Sequence, residues 1–469
     1  MKNILIGLIG IIWLGLSAQK TTLQEDSLQL RKLYDTSLRN GKSYEWLGYL
    51  SDEIGGRLSG SVNAERAIAW AEKELKSLAL DKVWLQPVLV PKWTRGVPEY
   101  AYIETEPGKT TVVPICALGG SVPTPAVGLK ANVVEVKNFE ALEQYGRAQL
   151  EGKIVFYNRP MQPDIVNTFE AYEAAVNQRY SGAMEAAKYG AIGVIVRSMN
   201  LRMDDFPHAG AMDYGDAKDA IKIPAAAIST KGAALLSSML ALDSEIQFHY
   251  NMSCKTWKDV PSYNVIGEIT GTKFPDEYLL VGAYLNSWDL GDGSHHGGAG
   301  VVQSMEVLRL FKETGYHPQR SIRVVLFVDQ EHGMRGGTTY AAVAKQKKEK
   351  HIFALKSDHG GFSPRGFSFD CSAAQFSRIK EWKPLFTPYF IHHFVRGDSG
   401  IAIEPLKKEG MILAGLRSDS QRYFDDHHAK NDTFDAINKR ELELGAATMA
   451  SLVYLLDHHS LFSASASMH

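Results

Sequence analysis

Two nearly continuous apolar runs, Tyr278–Val281 and Ile322–Val328, flank a segment of helical periodicity from Gly300 to Glu313. Strands of this kind are buried on both faces, and two of them joined through a helix run parallel with a right-handed crossover. The pattern predicts an α/β fold: a mostly parallel central sheet flanked by helices. In such sheets the chemistry gathers beyond the carboxyl ends of the strands. Those ends fall at 283–298, 329–337 and 356–361.

The rest of the chain surrounds this unit. Its 469 residues exceed what one core usually supports, so more than one domain is expected. Helical patterning runs from Gln24 to Leu80, with an amphipathic stretch at 63–78 preceded by the glycine turn Gly55-Gly56-Arg57-Leu58-Ser59-Gly60 and capped by Ser61 or Asn63. Between Gly119 and Cys254 the rhythm changes to short β-rich runs at 153–157, 191–196 and 223–229 around a helix at 181–189, the pattern of an inserted module. A helix at 441–456 has the spacing of a core element, the Lys-rich run 345–350 reads as a solvated helix end, and 460–469 as a disordered tail.

Met1-Lys2-Asn3 followed by an apolar run to Leu16 and then Ser17-Ala18 fits a signal peptide over 1–18, which predicts a secreted or periplasmic protein with no membrane span after cleavage. Cys116, Cys254 and Cys371 allow one disulfide and one thiol, or three thiols. The 51 basic residues nearly balance the 53 acidic ones, so charge gives no reason to expect nucleic acid as a partner.

Function therefore rests on sites. The three strand-end segments and 423–433 together hold Asp289, Asp292, His295, His296, Glu331, His332, Asp358, His359, Asp425, Asp426, His427 and His428. An adjacent histidine pair alone is usually a capping or solvated loop feature. Two such pairs beside acidic residues point toward a metal site. Trp288, at a strand end, fits packing better than substrate contact.

The order Ser287-Trp288-Asp289-Leu290-Gly291-Asp292-Gly293, Gln330-Glu331-His332-Gly333, Ser357-Asp358, His427-His428 and Asp432-Thr433 resembles the zinc-exopeptidase family that contains carboxypeptidase Q and the two-zinc bacterial aminopeptidases. The middle segment, through Ala186-Ala187-Lys188-Tyr189-Gly190-Ala191, resembles a protease-associated domain. The resemblance implies a metallo-exopeptidase-like domain over 19–118 and 255–459 and a protease-associated-like domain over 119–254. In that family two metals roughly 3.5–4 Å apart share a water and polarise the scissile carbonyl, while a glutamate moves the proton.

Carried over position by position, the resemblance puts Tyr284 at the first ligand histidine, Asn286 at its companion Asp, His296 at the bridging Asp and Gln330 at the general base. Glu331, Asp358 and His428 keep ligand types, while Lys356 stands where the pattern has an acid and Ala402 where one is expected. A carboxylate bridges two close metals with its two oxygens, whereas imidazole nitrogens diverge. Zinc is thus expected as one ion at most, or none.

Three readings stay open. The chain is an impaired or inactive relative. Alternatively, it is an active exopeptidase for dipeptides and small peptides, using Glu331, Asp358, His428 and His296 around one zinc, with His332, His359 or Asp289 replacing the base. In the third, it is a non-catalytic peptide-binding protein acting through its middle segment. A homodimer is compatible with each.

Overall fold

The computed structural model describes residues 23–217, 219–397, 399–459 and 461. The signal peptide expected over 1–18 lies outside these residues, as does the expected tail apart from Leu461, which is buried in the main core.

The central sheet contains β1 (Lys82–Val90), β2 (Val260–Ile269), β3 (Phe274–Tyr284), β4 (Arg320–Phe327), β5 (Lys350–Lys356), β6 (Pro364–Asp370), β7 (His393–Arg396) and β8 (Ile412–Ser418), in the order β1-β2-β4-β3-β5-β8-β6-β7. Its middle, β4-β3-β5-β8, is parallel, as the two apolar runs with a helix between them require. Antiparallel pairings appear toward the edges, at β1-β2, β2-β4 and β6-β8. Every residue of β4 is buried, the mark of a strand covered on both faces.

Four helices do most of the covering: α1 (Val62–Ser77), α2 (Ala299–Thr314), α3 (Arg335–Gln346) and α4 (Lys439–His458). Ser61 starts α1 by accepting the Ala64 N–H at 3.1 Å, a cap worth ~1 kcal/mol, and Asn63 instead donates to the Gly56 carbonyl. α2 is buried almost all round because α4 lies against it. Gln303 on α2 donates to the Leu442 carbonyl and accepts from Ser357, which fixes the chain just past β5. The helical pattern expected from 24 to 80 is interrupted: helices at 23–40, Ser43–Gly48 and Tyr49–Ile54 precede the glycine turn. α3 stops at Gln346, so the Lys-rich run spans its end, the connection at 347–349 and the first residue of β5.

A second eight-stranded sheet has the order 109–112, 100–106, 247–251, 129–136, 154–157, 193–197, 225–228, 115–117. It draws three strands from before residue 119, so the expected boundary falls inside this sheet's segment and not at its edge. The reason is pairing: Ile115–Ala117 runs antiparallel to Ala225–Ile228, and Tyr100–Glu106 to Gln247–Asn251. All three cysteines are buried free thiols, and Cys116 and Cys254 belong to the core of this second sheet.

Candidate active site

The ends of β3, β4 and β5 converge with the loop after β8. Arg57, from the glycine turn, organises the first of these. Its fully buried guanidinium donates to the carbonyls of Gly55, Leu285, Asp292 and Gly293 at 2.7–3.0 Å, and burial pushes it down to about 10. Asn286 ties two loops together, donating to the Arg57 carbonyl and accepting the Asp329 N–H at 2.5 Å. Asp432 accepts the N–H groups of His295 and His296 at 2.7 and 3.1 Å, while burial raises its carboxyl to about 7.

This framework places His296 against His427 and His428. One donor nitrogen from each lies within 4.8 Å of the others, and all three rings are buried. The rings of His427 and His428 stack at 3.6 Å, and Tyr423 meets His296 edge-on at 4.6 Å. Burial, reinforced by the neighbouring imidazoles, holds His296 and His427 well below the ordinary histidine range, in the neutral form that binds metals. Among the described residues, both nitrogens of His296 and Nδ1 of His428 have no hydrogen-bond partner. Glu331 approaches this group, with Oε2 3.5 Å from His428 Nε2 and 2.9 Å from the Trp288 indole nitrogen that donates to it. Burial pushes the Glu331 carboxyl up, yet His428 and Trp288 outweigh it and hold the group down at about 2.

Asp358 is not in the histidine group. The ammonium of Lys356, itself fully buried, takes it at 2.5 Å and lies 5.6 Å from the centre of the Tyr284 ring. Burial alone would raise Asp358, but Lys356, His359 and Arg417 keep it below the usual carboxylate range. Gln330 presents a buried Oε1 that has no hydrogen-bond partner among the described residues. A neutral amide at that position has no proton affinity to serve as a base.

The remaining sequence candidates are engaged elsewhere. Asp289 is held by Arg95 at 2.6 Å, His295 stacks on Phe362 at 4.0 Å and accepts the Gly361 N–H, and Asp426 accepts from Asn431. Asp425 faces Arg202, and Asp292 uses its N–H on the Asp432 carbonyl. Of the substitutes considered for the base, Asp289 is therefore committed to an ion pair and His359 sits beside Asp358, while His332 packs on Trp288 at 4.9 Å, both of its nitrogens without a hydrogen-bond partner among the described residues. Ala402 is buried in a separate apolar cluster with Phe327 and Tyr340.

The histidine group, with its unpartnered buried nitrogens, suits one metal ion. His427, one of the sequence's metal-binding candidates but not in the ligand set that the resemblance gives, joins the group in place of Asp358. The neighbourhood of Tyr284, Lys356 and Asp358 does not suit a metal, because a phenol ring and a cation stand where donors would be needed. Trp288 is a packing residue, as its sequence setting suggested, and also orients Glu331. It rests on Gly119, where any β-carbon would come within 2.0 Å of the indole.

A cleft of about 550 Å³ opens over this centre, lined by Tyr284, Gln330, Glu331, Asp358, His427 and His428 from the core and by Phe169, Tyr172, Arg179 and Tyr180 from the middle segment. The middle segment is pinned here: Thr168 donates to the Ser420 carbonyl, and the Ala209 N–H donates to the His428 carbonyl.

The model of "Peptidase family M28" matches residues 264–453. Carboxypeptidase Q of Bos taurus is 35% identical over 415 residues, covering 88% of this chain and 85% of that protein, and the Homo sapiens carboxypeptidase Q is 34% identical over the same length. The crystal structure of a peptidase M28 precursor from Shewanella amazonensis superposes with a TM-score of 0.88 at 32% identity, covering 93% of this chain and 98% of that one. A zinc aminopeptidase from Bacillus subtilis shares the fold, with a TM-score of 0.63 at 17% identity. With 35% identity across 85% of a carboxypeptidase Q, the chain belongs to peptidase family M28, among the carboxypeptidase Q-like metallo-exopeptidases.

Proposed function

We propose that this protein is a carboxypeptidase Q-like family member in which peptide hydrolysis is impaired or lost and in which the cleft binds small peptides around at most one metal ion. The observation that carries the reading is the Lys356–Asp358 ion pair under the Tyr284 ring. A built-in ammonium takes up the carboxylate that the family pattern assigns to zinc, so a second ion would meet like charge instead of ligands. Gln330 adds to this, since loss of a general base alone costs ~10²–10⁴ in rate.

One ion would be held by His296, His427 and His428, with Glu331 as the adjacent carboxylate. When bound, such an ion supplies Lewis acidity and lowers the pKa of a coordinated water. That arrangement favours a second reading, a weakly active single-metal exopeptidase, in which His332 is the candidate base. Incubating the protein with a mixture of dipeptides and following products by mass spectrometry tests the first reading. Turnover within tenfold of an active carboxypeptidase Q sinks it.

The middle segment, proposed as a protease-associated-like domain, serves in this reading as a cover over the cleft. Export to a secreted or periplasmic location is proposed from the signal-like stretch Met1–Ala18. Among the described residues no helix is long and apolar enough to cross a membrane.

A further inference from the structure

The middle segment reaches the histidine group through one loop. His208 and Ala209 are both buried, and the Ala209 N–H donates to the His428 carbonyl at 3.0 Å. His428 accepts that bond with φ at 61°, a left-handed conformation that a residue with a β-carbon keeps only where its surroundings impose it. The His208 ring lies within electrostatic reach of His296, His427 and His428.

This loop is itself firmly held. The His208 N–H donates to Ser198 Oγ at 2.9 Å, Ser198 donates to the Ile228 carbonyl, and the Gly210 carbonyl accepts the Gly119 N–H at 2.9 Å. The Asn200 amide nitrogen lies 3.0 Å from Asp204 Oδ2 and 3.3 Å from His208 Nε2. An amide nitrogen only donates, so Nε2 accepts and the neutral ring carries its proton on Nδ1. Nδ1 is buried and has no hydrogen-bond partner among the described residues, an arrangement that costs stability and that packing alone does not explain. Nor is His208 part of the cleft lining, so its influence on the site passes through the neighbouring histidines.

We infer that the loop at His208 and Ala209 is a positioning element of the metal centre: it holds His427 and His428 in place against His296, so that an ion is bound tightly only while the middle segment is docked. It rests on the reading of the three-histidine group as a one-metal site. Groups that fix the orientation of metal ligands typically account for ~10–100-fold in metal affinity.

Zinc affinity of the full-length mature protein, read by competition with a chromophoric chelator, tests this together with the visible spectrum of the cobalt-loaded protein. His208→Ala should weaken zinc binding by ~10–100-fold and alter the cobalt bands. His208→Gln, whose side-chain carbonyl still accepts from Asn200, should stay within threefold of the parent. Tyr157→Phe loses a bond to the Gly182 carbonyl in the core of the second sheet, and it should lower the Tm while leaving zinc affinity within threefold. If His208→Ala fails to fold, hydrogen exchange on the unsubstituted protein carries the test. Because coupling is reciprocal, zinc should slow exchange of the Ala209 N–H at least tenfold. A His208→Ala affinity within threefold of the parent, an equal loss in Tyr157→Phe, or Ala209 exchange unmoved by zinc overturns the inference. A parent that binds no zinc also overturns it, while leaving the impaired-hydrolysis reading intact. Two tightly held zinc ions per chain would instead refute the reading of at most one metal and leave the His208→Ala ratio standing.

Discussion

Lys356 and Asp358, two residues apart at the end of β5, form a 2.5 Å ion pair in which the lysine is completely buried. Breaking such a pair from one side strands a charge, whereas removing both partners does not. Lys356→Met should therefore cost ~2–4 kcal/mol. The double substitution Lys356→Met with Asp358→Leu should lie within about 1–2 kcal/mol of the parent. Urea denaturation of the three proteins checks this, and a double variant less stable than the single one would contradict it.

Asn286 has a structural task in place of a catalytic one. Its amide donates to the Arg57 carbonyl and accepts from the Asp329 N–H, and both bonds are buried. Asn286→Asp replaces the donor with a second acceptor facing that carbonyl, which should lower stability by ~1–3 kcal/mol at neutral pH without raising peptide hydrolysis. Thermal denaturation and dipeptide assays report the two effects separately.

Gln330→Glu restores a carboxylate at the family's base position but leaves Tyr284, His296 and Lys356 unchanged. Dipeptide hydrolysis should rise less than tenfold, well short of the ~10²–10⁴ that a working general base supplies. A rise of a hundredfold or more would mean that the missing base was the sole defect.

His351 predicts acid sensitivity remote from the cleft. Burial, aided by Arg323, lowers it from 6.5 to about 3, and its Nε2 pairs with the Tyr340 hydroxyl at 2.8 Å. The unfolded chain takes up a proton below pH 6.5 that the folded chain refuses, so stability is complete above that pH and falls as the pH drops toward 3. The loss attributable to this residue is about 3 kcal/mol at pH 4. The urea midpoint of His351→Gln should fall less between pH 7 and pH 4 than that of the parent.

The parallel centre of the sheet was legible because β3, α2 and β4 carry their periodicities openly. The start of the second sheet was not. Strands such as Lys109–Val112 are fully exposed and short, and only their pairing with distant partners makes them strands. Within the site, residue types at motif positions identified Tyr284, Asn286, His296, Gln330 and Lys356 as departures. What the sequence could not supply was direction. Asp358 turns to Lys356, Asp289 to Arg95, and His427 toward His296, each fixed by packing between segments far apart in the chain.

The central claim is that the Lys356 ammonium and the Tyr284 ring exclude one of the family's two metal positions. Elemental analysis of untagged protein, equilibrated with excess zinc and then freed of unbound ion, tests it most directly. The account predicts one zinc per chain or none. Two tightly held zinc ions per chain would contradict it.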